Sequence, residues 1–140
     1  MKPAAGTVVD SSVLLDVFTD NPQWGAWSHR LLTEAAQRGA VILNVVVLAE
    51  IAPRFSQLEA LHAALPSMAI VEAIPPAAAF LAGHAHAGYR RSGGTREAIL
   101  PDFLIGAHAA VTARRLLTRD PRRVATHLPG ATLITPEGPS

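Results

Sequence analysis

Five short runs of β-branched and aliphatic residues limit what this chain can fold into. They are Thr7-Val8-Val9, Val41-Ile42-Leu43, Ile70-Val71, Leu116-Leu117-Thr118 and Thr132-Leu133-Ile134. None has the polar alternation of a half-exposed strand, so they fit a parallel sheet covered on both faces. The stretches between them carry helix punctuation. Asn21-Pro22 reads as an N-cap with Pro at the first helical position, and Trp24, Trp27, Leu31, Leu32 and Ala35 follow at near-helical spacing up to a stop at Gly39. Further helices are expected over residues 46–53 and 57–65, punctuated by Pro53 and Pro66, and over 76–89 and 102–114. Strands alternating with helices build βαβ units. The expected fold is therefore α/β, a three-layer α/β/α sandwich around a central parallel sheet of four to five strands. The chain of 140 residues suits one domain over 1–136, with residues 137–140 as a disordered tail.

Composition excludes several classes. Apolar residues make up 49% and charged residues 16% of the chain, too apolar for a disordered one. Cysteine is absent, which removes disulfides and thiolate metal sites. No long apolar stretch follows Lys2 before Asp10, so no signal peptide is expected. The longest apolar region, 45–52, is broken by Glu50 and is too short to span a bilayer, so no membrane partner is expected and cytoplasmic residence is the default. The net charge of +1 gives no global attraction to nucleic acid, but its distribution is uneven. Residues 1–70 hold four basic and six acidic side chains, whereas residues 71–140 hold eight basic ones, all Arg, and five acidic. Arg offers a planar fork suited to phosphate, although for any one Arg a solvated surface charge is the ordinary reading.

The residues that could carry chemistry are acids. In open parallel sheets, sites form beyond the carboxyl ends of strands, where the strand order reverses. Asp10 ends the first run, and Asp120 follows the fourth by two residues. Glu50 falls within the first turns of a helix after the second run, and Asp102 opens the helix leading into the fourth. Four carboxylates could thus meet on one rim. Taken alone, Asp102 after Pro101 and Asp120 before Pro121 read as N-caps, and Asp10 before Ser11-Ser12 could cap a helix as well. Glu50 resists that explanation, because it interrupts an apolar run where an unpaired carboxylate is costly to bury. The other acids, Asp16, Asp20, Glu34, Glu59, Glu72, Glu97 and Glu137, read as solvated. Two unit charges 4 Å apart repel by about 4 kcal/mol at an effective dielectric near 20, so such a cluster needs protons or cations. Hard oxygen donors without Cys or matching His point to Mg²⁺, with Mn²⁺ as a substitute, and to phosphodiester hydrolysis by metal-activated water.

At these residues the sequence resembles a known family. Val8-Val9-Asp10-Ser11-Ser12-Val13-Leu14-Leu15-Asp16 looks like the opening motif of PIN domains, and Glu50 stands where the family's helix-borne Glu is expected. The stretch from Ala87-Gly88-Tyr89-Arg90-Arg91 through Leu100-Pro101-Asp102-Phe103-Leu104-Ile105-Gly106-Ala107-His108-Ala109 is similar to VapC-type toxins. So are Leu117-Thr118-Arg119-Asp120, the closing Leu128-Pro129-Gly130 and Leu133-Ile134-Thr135-Pro136. The resemblance implies a homodimeric, Mg²⁺-dependent endoribonuclease, the toxin of a type II pair, which cleaves RNA and is held inactive by a VapB-like antitoxin. It maps metal ligation onto Asp10 and Asp102 first, with Glu50 and Asp120 completing the catalytic acids. Ser12 and Thr118 match hydroxyl positions able to orient a carboxylate or water. Residues 53–80 carry no motif.

The remaining signals are weaker. His84 and His86 are two apart on a helix and point in different directions. His108 lies about 120° around the axis from Asp102 and is expected to be a packed or satisfied polar residue. His29, His62 and His127 have no matching partners, Gly93-Gly94 marks a turn, and Trp24 and Trp27 suit core or dimer packing better than base stacking. Among Arg90, Arg91, Arg96, Arg119, Arg122 and Arg123, some are expected along the RNA path. A haloacid-dehalogenase-type phosphatase needs an Asp where Ser12 stands, and a receiver domain needs a late Lys, whereas Lys2 is the sole lysine. Two alternatives stay open here. One is a PIN-type nuclease that processes RNA or DNA without a toxic role, and the other is a non-catalytic binding module whose acids are helix caps.

Overall fold

Thr7, Val8 and Val9 are all buried and form the central strand, β1 (Thr7–Val9), of a five-stranded sheet. The computed structural model describes residues 5–94, 99–121, 128 and 130–136. After β1 come helices α1 (Ser11–Phe18) and α2 (Gly25–Arg38), then β2 (Val41–Leu43) and α3 (Val45–Ile51). A 3₁₀ turn at Ala52–Arg54 leads to α4 (Leu58–Ala64), β3 (Ala69–Val71) and the long α5 (Pro76–Arg91). The chain then forms α6 (Leu100–Val111), β4 (Arg115–Leu117) and β5 (Thr132–Ile134). The expected tail at 137–140 lies outside the described residues.

The strand order is β3-β2-β1-β4-β5 and every pairing is parallel, which bears out the α/β/α expectation. The chain lays down β1, β2 and β3 in one direction and then returns to place β4 on the other side of β1. The order therefore reverses between β1 and β4, where Asp10 N donates to Leu117 O at 2.9 Å. The core gathers the strand residues Val8, Val9, Ile42, Leu43, Leu116 and Leu117 with Leu14, Ile51 and Phe103 from the helices.

Several local expectations shift. Asn21 Oδ1 accepts from Gln23 N and Trp24 N, each at 2.9 Å, so Pro22 sits in a capped turn and α2 starts only at Gly25. Residues Ile70 and Val71 remain 46% and 45% exposed, because β3 is an edge strand with β2 as its one partner in the sheet. Gly6 has φ +97°, and a Cβ there would fall 2.6 Å from Ile42 Cδ1, so this entry into β1 requires glycine. Gly93, at φ +83°, and Gly94, whose N donates to Tyr89 O at 2.9 Å, make the expected turn after α5.

Two acids read as solvated are in fact paired. Glu72 follows β3 and accepts from His108 Nε2 at 2.7 Å and from Arg114 Nη1. His108 is fully buried, and Asn44 Nδ2 lies 3.0 Å from its Nδ1. The Asn44 amide orientation follows from its other bonds, since Oδ1 accepts from Val46 N and Val47 N and caps α3. Asn44 Nδ2 must then donate to Nδ1, leaving Nε2 of His108 to donate to Glu72. His108 is thus the satisfied polar residue that its helix position implied. Asp16 is the second correction: it is 2% exposed and accepts from Ser28 Oγ and Arg119 Nε, both at 2.8 Å. Asp20, Glu34 and Glu59 are exposed as expected, and Glu97 and Glu137 lie outside the described residues.

Burial alone would push the Glu72 carboxyl up, but hydrogen bonds from Arg114 and His108 and the charge of Arg114 hold it below its ordinary value of 4.5. A carboxyl with a lowered folded-state pKa stabilises the fold above its unfolded value, and that stability is lost as pH falls through the folded value. Glu72→Gln should therefore melt below wild type at neutral pH, and the gap should close below pH 4.5. Melting curves of both proteins over a pH series check this, and a gap that persists unchanged into acid would contradict it.

Candidate active site

The acid site grows out of the ends of β1 and β4 at the point of reversal. Asp10 leaves β1 with extended backbone and serves as the N-cap position of α1, yet its carboxylate makes no cap hydrogen bond. Oδ2 instead accepts from Ser12 Oγ and Thr118 Oγ1, each at 2.9 Å, so the helix-cap reading of Asp10 fails at the side chain. Thr118 is buried and also accepts from Asp120 N at 3.2 Å, which ties the loop after β4 to the end of β1. Ser12 and Thr118 thus converge on one oxygen of the Asp10 carboxylate.

The other acids arrive on helices. Glu50 is carried by α3, whose start is fixed by the Asn44 cap, and Oε1 accepts from Ser11 Oγ at 2.9 Å. Ser11 is buried and was not singled out from the sequence, although its place beside Asp10 at a helix start was a usable signal. Asp102 stands in the first turn of α6, where Oδ2 accepts from Ile99 N at 2.9 Å. Asp102 is therefore not the N-cap that its place after Pro101 suggested: it stands at the third position of α6 and reaches back to the backbone N–H of Ile99, the N-cap residue. Asp10, Glu50, Asp102 and Asp120 line one cleft of about 230 Å³ together with Ser11, Ser12, Leu15 and Arg119. A larger hollow of about 440 Å³, bounded by α2 and β5, brings no second set of acids together. Convergent acids, rather than size, mark the site.

The cleft offers carboxylate and hydroxyl oxygens, which suit a hard divalent cation. Among the described residues, no three Asp, Glu or His side chains are grouped to hold one ion jointly. That arrangement still fits Mg²⁺, which keeps several waters and is usually bound through one or two carboxylates. None of the described histidines lines the cleft. His84 packs on Phe80 with ring centroids 4.5 Å apart, and His86 packs on Phe103 at 5.5 Å. Trp24 and Trp27 meet edge to face at 6.3 Å, and Trp27 packs against the core. Of the candidate RNA-facing arginines, Arg119 lines the cleft and Arg90 and Arg91 are exposed at the end of α5. Arg96, Arg122, Arg123 and His127 lie outside the described residues.

A family model for the PIN domain matches residues 7–126, from the first residue of β1 past the last acid of the cleft. The chain belongs to the PIN domain family. Solved structures share the fold at low sequence identity. VapBC2 from Rickettsia felis, bound to a promoter DNA fragment, superposes with a TM-score of 0.68 at 16% identity, covering 92% of this chain and 97% of that one. A toxin–antitoxin complex from Klebsiella pneumoniae gives 0.68 at 21% identity, covering 94% and 98%. VapC20 of Mycobacterium tuberculosis, a sarcin–ricin-loop-cleaving toxin, gives 0.60 at 19%, covering 86% and 95%. No curated protein sequence matches the chain. Among the described residues, no helix of this PIN domain is long and apolar enough to cross a membrane.

Proposed function

We propose that this PIN domain is a Mg²⁺-dependent endoribonuclease and the toxin of a toxin–antitoxin pair, with Mn²⁺ able to substitute. The observation that carries this reading is the meeting of Asp10, Glu50, Asp102 and Asp120, from four distant segments, on one cleft at the reversal point of the sheet. Asp10 and Asp102 are the residues that would hold the cation. A bound Mg²⁺ supplies a more acidic water and neutralises charge developing on phosphate oxygens. Ser12 and Thr118 fix the Asp10 carboxylate in a single orientation, so it need not reorganise during turnover. Glu50, oriented by Ser11, can accept the proton that the attacking water loses. Asp120 completes the acidic wall and is tied to Asp10 through Thr118.

The partners belong to the same proposal. VapBC and toxin–antitoxin complexes among the structural neighbours support a VapB-like antitoxin, and the sarcin–ricin-loop cleavage stated for VapC20 supports RNA as substrate. Homodimerisation and cytoplasmic residence complete the picture. The test incubates the purified protein with total cellular RNA in Mg²⁺, in Mn²⁺ and in EDTA. Discrete fragments in either metal and none in EDTA are expected, and cleavage that survives EDTA would sink the metal-dependent reading. Cleavage in the tube without growth arrest on induction would favour a processing role over a toxic one.

A further inference from the structure

Arg119 is the one cation that lines the acid cleft among the described residues. It does not lie across the nearby carboxylates of the cleft. Its Nε donates to Asp16 Oδ2 at 2.8 Å, and its guanidinium carbon sits 6.0 Å from the centre of the Trp24 ring. Asp16 is anchored in turn: it projects from α1, is 2% exposed, and takes a second hydrogen bond from Ser28 Oγ, a fully buried group on α2. The Arg119 side chain keeps 32% of its surface open, and its two terminal nitrogens make no hydrogen bond among the described residues.

A buried ion pair is weak evidence for stability, because apolar side chains of similar volume commonly stabilise a fold as well or better. What this pair provides, and an apolar pair cannot, is a cation held at the lip of a four-acid cleft. An untethered Arg would be drawn onto the acids and would cancel the charge that a metal needs. With Nε committed to Asp16 and one face against Trp24, the guanidinium keeps donors available beside the cleft. Two parallel N–H donors match the geometry of a phosphate.

We propose that Arg119 binds a backbone phosphate of the RNA, with Asp16 as its positioning residue; this rests on the ribonuclease reading above. Asp16 and Trp24 fix where that phosphate sits relative to Asp10 and Asp102. The test uses Asp10→Asn as parent, so that RNA is bound and not cut, and a short single-stranded RNA of random sequence as probe. Affinity is measured across a salt series. Adding Arg119→Gln should weaken binding about tenfold and lower the slope of log affinity against log salt by about 0.7, the share of one phosphate contact on a single strand. Arg119→Lys should also weaken binding, because one ammonium cannot hold Asp16 and reach the phosphate together.

Because Arg119→Gln leaves Asp16 buried without its cation, a further variant carries Asp16→Asn and Arg119→Gln together. It should recover the parent's melting temperature but not its affinity. Parental affinity and slope in that variant would overturn the proposal and make the pair purely structural. A folded parent that binds no RNA at all would overturn the ribonuclease reading and this inference with it, a result distinct from the first.

Discussion

Asp10→Asn should slow RNA cleavage by about three orders of magnitude or more, the equivalent of roughly 4 kcal/mol of transition-state stabilisation. The substitution is nearly isosteric, and the amide oxygen can still accept from Ser12 Oγ and Thr118 Oγ1, so the local geometry survives. What disappears is a negative charge at the point where the proposed function has cation and phosphate meet. The same loss relieves repulsion among four acids lining one cleft, so the melting temperature should stay level or rise. Initial rates of fragment formation and melting curves, taken on the same preparations, check both halves. A protein that lost activity together with its fold would assign Asp10 to the scaffold instead.

The second large effect is on stability. Asn44→Ala should cost about 3 kcal/mol, since it deletes the side-chain cap of α3 and leaves the buried Nδ1 of His108 without its donor. In a chain of 140 residues this should lower the melting temperature by about 10 °C. Cleavage should fall as well, because α3 carries Glu50. Asn44→Ser keeps a cap oxygen and loses the contact to His108, so it should fall between the alanine variant and wild type. Thermal unfolding of the three proteins decides the matter, and a loss under about 1 kcal/mol for alanine would mean that the Asn44–His108–Glu72–Arg114 network holds little together.

The strands were legible because each is short and, apart from the edge strands β3 and β5, largely buried, which leaves an uninterrupted apolar run as its trace. Their order was not: a run such as Ile70-Val71 looks the same whether it sits in the middle of a sheet or at its edge, and only the pairing made β3 an edge strand. The four acids were legible because each follows a strand's carboxyl end or opens a helix nearby. Their mutual geometry was not, since it depends on how α3 and α6 pack over the sheet. Asp16 was misread although Leu14-Leu15-Asp16-Val17-Phe18 places a carboxylate within an apolar run, the same argument that singled out Glu50. Its partners, Ser28 and Arg119, lie 12 and 103 residues away. Glu72 was misread for the same reason, as His108 and Arg114 reach it from 36 and 42 residues along the chain. Local pattern reports burial and period, whereas ion pairs between distant segments exist only once the fold has formed.

The most direct test of the acid cleft is a side-by-side time course of RNA cleavage in Mg²⁺ by wild type, Asp10→Asn, Asp102→Asn and, as a charge-matched control, Glu59→Gln from the exposed face of α4. Wild type and Glu59→Gln should yield the same fragments at the same rate, and the two aspartate variants none above background. Undiminished Mg²⁺-dependent cleavage by Asp10→Asn would contradict the account.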